Sequence, residues 1–151
     1  MTVTPTEPVP NSILDTTKKA LGLDADYTPF DPEIIMHINS VLADLNQLGL
    51  GPSAGFMIED RAATWDQFLA PTLPPVDPPV AAGDPRFNNV KSYAFLKVKM
   101  LFDPPNTGYV LTAMEKLIEQ AEWRINVARE DIVNPPPPKV LPVPYDPFAD
   151  F

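Results

Sequence analysis

A chain of 151 residues with a formal net charge of −9 and no cysteine is sized for one domain with its own core. The missing thiols exclude a disulfide framework, a thiolate zinc site and a cysteine nucleophile. The acidic balance opposes binding to nucleic-acid phosphates, though not service as a conduit that nucleic acid passes without adhering.

Proline divides the chain. There are 21 of them, absent from 33–51, 86–103 and 106–134 and crowded into 5–10, 71–85 and 135–147. Because proline removes an N–H donor and fixes φ, the first set of stretches reads as helical and the second as extended. Residues 1–10 are polar and proline-rich, an extended arm in polyproline II rather than a signal peptide, and no run of about 18 apolar residues predicts a membrane span. A first helix of about ten residues opens at Asn11 or Ser12. Ser12 is its N-cap with Asp15 in a capping-box position, Gly22 its left-handed stop, and Leu23 packs back.

The second helix has Asp31 as cap, Pro32 at its first position and Glu33 near the positive end of the dipole. Ile34, Ile38, Val41, Leu45 and Leu48 recur at steps of three and four, with Ile35 and Leu42 widening the stripe. Gly49 and Gly51-Pro52 end it. Phe56–Ile58 is too short for periodicity to separate a strand from an anchored loop. Thr64–Gln67 matches a capping box that opens a short helix through Phe68 and Leu69. The proline-rich insertion 71–85 is expected to run extended over the surface.

The stretch Tyr93–Phe102 is apolar on several sides and stops at Asp103-Pro104-Pro105. Val90, Ala94, Val98 and Leu101 share a face, Tyr93 and Met100 flank it, and Phe95, Leu96 and Phe102 point elsewhere. A helix apolar nearly all round is buried, and in so small a chain part of that surface is expected to meet another subunit. Lys97 falls among the apolar positions, so its ammonium must snorkel or take an acid partner in a structural ion pair.

Asn106 or Thr107 caps a long final helix to about Asp131. Its stripe is Val110, Met114, Leu117, Ile118, Ala121, Ile125, Ala128 and Ile132. Opposite lie Tyr109, Trp123 and Val127, either covered by the insertion or tail or free to contact a subunit. Glu115, Glu119 and Glu122 are either a solvated face paired with Lys91 or Lys99, or acids facing the lumen of an oligomeric ring. The tail carries Val140, Leu141, Val143, Tyr145, Phe148 and Phe151 on a stiff backbone, a docking arm that costs little entropy to order. It lacks the proline spacing of an SH3 or WW ligand. No repeat of 20–50 residues is visible. The class is all-α: a small bundle of four to five helices over 11–133 with an arm at 1–10, the insertion 71–85 and a tail at 134–151.

Groups able to do chemistry are few. His37, the single histidine, sits at the edge of the second helix's stripe and reads as a locally hydrogen-bonded residue rather than a base. Hydrolase, metalloprotease and phosphate-loop motifs are absent. Asp24, Asp26 and Asp31 lack the glycine and terminal glutamate of a calcium loop and read as caps and solvated acids. No catalysis, metal or cofactor is expected.

An ordered series of motifs resembles the head–tail connector (adaptor) proteins of long-tailed bacteriophages. The series runs Ile13-Leu14 with Leu21–Leu23, Phe30-Asp31, Ile38-Asn39 with Gln47–Pro52, Thr64-Trp65, Tyr93 with Leu96–Lys99, Leu101–Pro105, Met114-Glu115 and Glu122–Arg124. It covers about Ser12–Asp131 less the insertion. The resemblance implies a non-enzymatic helical subunit in the virion neck, usually in twelve copies, forming a ring under the portal of the filled capsid. That ring presents a platform to the stopper and tail, with DNA only as passing cargo and no membrane. On this reading Tyr93, Phe95, Leu96, Phe102, Tyr109, Trp123 and Val127 meet ring neighbours. The rival readings are a monomeric cytosolic module presenting proline-rich ligands to peptide-recognition domains, and a small enzyme that depends on His37.

Overall fold

The computed structural model describes residues 5–148. Among these described residues five α-helices follow one another: α1 (Ile13–Ala20), α2 (Asp31–Gln47), α3 (Trp65–Leu69), α4 (Asn89–Phe102) and α5 (Gly108–Val133), with a 3-10 turn at Pro85–Phe87 ahead of α4. There is no strand among the described residues; one isolated antiparallel bridge joins Ser12 to Thr64. The protein is an all-α bundle.

Local chemistry sets most helix ends. Ser12 Oγ accepts the Asp15 N–H at 3.2 Å, but the Asp15 carboxylate accepts from Val9 N–H at 3.1 Å and from Arg61 Nε at 3.2 Å instead of returning to Ser12. α1 closes in a Schellman motif: Leu23 N–H reaches the Lys18 carbonyl at 2.9 Å and Gly22 N–H the Lys19 carbonyl at 3.1 Å, with Gly22 at φ +79°. α2 closes the same way. Leu50 N–H bonds the Leu45 carbonyl and Gly49 N–H the Asn46 carbonyl, which turns Leu50 into the core with no exposed surface. At its start α2 departs from expectation: Phe30 is the N-cap without a side-chain cap bond, because the Asp31 carboxylate faces Lys18 Nζ at 2.8 Å. The capping box of α3 is complete, with Thr64 Oγ1 accepting from Gln67 N–H and Gln67 Oε1 from Thr64 N–H. Thr107 is the N-cap residue of α5 but makes no side-chain cap bond, and the helix runs on to Val133.

α4 is the central helix, packed between α2 and α5 with α1 also against it. Ile34, Ile38, Val41 and Leu45 of α2 meet Val90, Tyr93, Ala94 and Val98 of α4 in one core. Trp65 is fully buried. Its indole N–H donates to Thr16 Oγ1 at 2.9 Å, and its ring meets Phe68 and Phe95 edge-on at 6.4 and 6.1 Å. Phe56–Ile58 is a loop whose Ile58 backbone is held at both its N–H and its carbonyl by the Asn39 side-chain amide.

Two extended segments are tied to the bundle more firmly than their composition predicts. The insertion does not simply run over the surface. Thr72 and Val80 are buried, Leu73 N–H bonds the Gly49 carbonyl at 3.0 Å, and Arg129 of α5 donates to the carbonyls of both Gly49 and Leu73. Near the other end of the chain Arg61 donates to the Thr6 carbonyl at 3.0 Å, holding part of the arm against the bundle. Proline sequences lack their own ladder, so cationic side chains of the bundle supply the bonds that dock them.

Candidate interaction surfaces

α4 hides more than its pattern implies. Tyr93, expected at a ring contact, is 1% exposed and lies inside the protomer. Phe95 is half-buried against Trp65, Phe102 is half-buried with its ring edge-on to Phe30 at 5.4 Å, and Leu96 is half-buried. Leu101, expected on the inner face, is half exposed instead. The reason is topological: a helix sandwiched between two others needs apolar residues on more than one side to pack within its own protomer.

Lys97 takes the acid partner its position requires. Its ammonium donates to Asp44 at 2.7 Å and to the Tyr93 hydroxyl at 3.1 Å. Burial pushes the Tyr93 phenol above the ordinary tyrosine range, against the Lys97 hydrogen bond that pulls it down. Burial also works to lower the Lys97 ammonium, but hydrogen bonds to Asp44 and Tyr93 outweigh it and the net shift is upward.

α5 carries two faces. Met114, Ala121 and Ile125 are buried, and Ile118, Ala128 and Ile132 pack beside them. Val110 and Leu117, predicted on this stripe, are 43% and 50% exposed. At 100° per residue Leu117 lies roughly 60° off the centre of the inner face, beyond the reach of α4. It borders a second seam, Tyr109, Ala113, Lys116, Gln120, Trp123 and Val127, which recurs at steps of four and three. Tyr109 is 86% and Trp123 64% exposed. Ala113, Lys116, Leu117, Glu119, Gln120 and Trp123 line a shallow, open hollow on the surface of α5. Neither the insertion nor any described part of the tail covers this face.

Glu115 and Glu119 are exposed and Glu122 half-buried; Glu115 and Glu122 lie on the opposite flank of α5 from Leu117, and Glu119 sits between that flank and the hollow. Pairing with Lys91 or Lys99 is not made: Lys91 donates to Asn11 at 3.1 Å and Lys99 pairs with Asp103 at 3.3 Å. The tail anchors Val140, Leu141, Val143, Tyr145 and Phe148 are each at least 75% exposed. Phe151 lies outside the described residues.

His37 Nε2 stands 3.8 Å from Glu33, one turn earlier on α2, and makes no hydrogen bond. Asp24 caps the Asp26 N–H at 2.9 Å, and the described residues contain no cluster of three or more acids or histidines fit to hold a metal. Sequence reasoning missed the cations that organise this region. Lys18 is fully buried, with its ammonium 2.8 Å from both the Ala25 carbonyl and Asp31. Arg61 bonds Thr6, Asp15 and Ala25. The readable signal was Lys18 itself, one turn after Leu14 on the inner face of α1.

A family profile described as phage connector protein matches residues 13–131, well over half of the chain. No curated protein and no solved structure matches it.

Proposed function

The chain belongs to the phage connector protein family, which makes it a structural head–tail connector of the virion neck, and on that premise we propose that its copies close into a ring beneath the portal. The ring joins the filled capsid to the stopper and tail, and DNA leaves through its lumen. The observation that carries this reading is the uncovered seam of α5. A helix that satisfies the protomer's core with one face and still exposes Tyr109, Leu117 and Trp123 on another has surface for a neighbour. A contact between unlike patches closes into a ring when its rotation closes. Phe95, Leu96 and Phe102, half-buried on α4, contribute only their outer edges, and Tyr93 contributes nothing directly. Glu115, Glu119 and Glu122, with the net charge of −9, fit a lumen wall that repels a passing polyanion.

The role is tested in the phage that carries the chain. A nonsense mutant should yield filled heads and finished tails that stay apart. Images of wild-type necks should show a closed ring of this chain next to the portal. Normally joined particles from the mutant would refute the connector role; joined particles whose neck holds the chain as a lone subunit would refute the ring.

A further inference from the structure

The seam on α5 and the tail that follows it both expose aromatic and aliphatic side chains and are matched in length. We infer that the C-terminal tail of one copy lies along the outer seam of α5 in the next copy, so that the ring is belted by exchanged tails. This rests on the ring reading above and names what covers its uncovered face.

Length is the first argument. From Tyr109 to Val127 the seam runs roughly 27 Å at 1.5 Å per residue. From Lys139 to Phe148 a polyproline II strand runs roughly 28 Å at 3.1 Å per residue. Chemistry is the second. Segments of this conformation dock into grooves lined by aromatic rings, and the seam offers Trp123 and Tyr109 beside Leu117. The tail brings Val140, Leu141, Val143 and Tyr145 between prolines.

Stiffness decides whose helix is covered. Pro135–Pro138 follow Asn134, the C-cap residue of α5. Four prolines in a row project the chain about 12 Å onward without a bend. A tail doubling back on its own helix would have to reverse after them, whereas its anchors Val140, Leu141, Val143, Tyr145 and Phe148 are at least 75% exposed instead of packed on the protomer. The tail is therefore aimed off its own protomer.

Because the chain has no cysteine, the pairing is read directly by disulfide trapping. The full-length protein carries Gln120→Cys together with Leu141→Cys, Val143→Cys or Tyr145→Cys, is assembled into particles, and is oxidised mildly. At least one pair should give a ladder of covalent dimers, trimers and higher multiples. Ser53→Cys in place of Gln120→Cys should give none, and adding Trp123→Ala should cut the ladder about tenfold. A fast-migrating monomer and no ladder would mean that the tail covers its own helix, and would overturn the inference. So would a cross-link to a different neck protein, or no cross-link in particles whose neck shows a closed ring; in that last case the ring reading survives. Particles without any ring would end both.

Discussion

The two tryptophans of this chain put opposite demands on one substitution. Trp65→Ala removes a fully buried ring, empties the space between Phe68 and Phe95, and deletes the indole donor to Thr16. Thr16 keeps its own donation to the Ser12 carbonyl, so no buried hydroxyl is orphaned. The loss is mainly transfer plus cavity, about 4 kcal/mol. For a domain of this size that lowers Tm by roughly 10 °C. Trp123→Ala trims a ring that is 64% exposed and touches little, so it should change the protomer's stability by less than about 0.5 kcal/mol. In a neck interface the same ring is an aromatic anchor, and its loss should reduce head–tail joining at least tenfold. Urea titration followed by circular dichroism reads the first quantity in both variants, and counting joined particles reads the second. If Trp123→Ala unfolds as easily as Trp65→Ala, the uncovered seam is misassigned. If it folds and joins heads to tails at the wild-type level, the seam is not an interface.

Three further predictions test the structure. Lys18→Met should destabilise by about 3 kcal/mol, since it strips the Ala25 carbonyl of a charged donor and leaves Asp31 half-desolvated without a counter-ion; adding Asp31→Asn should recover part of that, and full additivity in the double variant would refute the coupling. Gly49→Ala and Gly22→Ala both place a side chain at positive φ, costing roughly 1–2 kcal/mol each. Only at Gly49 would the new Cβ fall 1.9 Å from Arg129 Nε. Gly49→Ala should therefore be the worse by about 1.5 kcal/mol of displaced charged hydrogen bonds, and equal urea midpoints would contradict the Arg129 clamp. The pH dependence follows from Tyr93 and Lys97, both raised in the fold. The native chain holds those protons more tightly, so their contribution is complete below about pH 10 and is lost as pH rises through the raised values. Urea midpoints should be flat across neutral pH and fall in alkali, less steeply in Asp44→Asn; a midpoint that climbs in alkali would reverse the assignment.

What could be read from residue order was whatever a few neighbouring residues decide among themselves. Ser12, Gly22, Gly49, the Thr64–Gln67 box and the Asp103-Pro104-Pro105 stop act within one turn, and the stripe of α2 follows from helical period alone. The all-α class and the place of the proline-rich breaks were therefore determined before any tertiary contact formed. Long-range packing decided the rest. Only the placement of α4 between α2 and α5 shows that most of its apolar surface is met within the protomer, enclosing Tyr93 and leaving Leu101 half exposed. Only the fold reveals that Lys18, Arg61 and Arg129 turn inward to hold carbonyls and carboxylates distant in sequence, docking an arm and an insertion that composition alone leaves loose. The same packing uses up one face of α5 and leaves the other bare, because α4 and the turn at Pro85–Phe87 lie against the same side of this 26-residue helix.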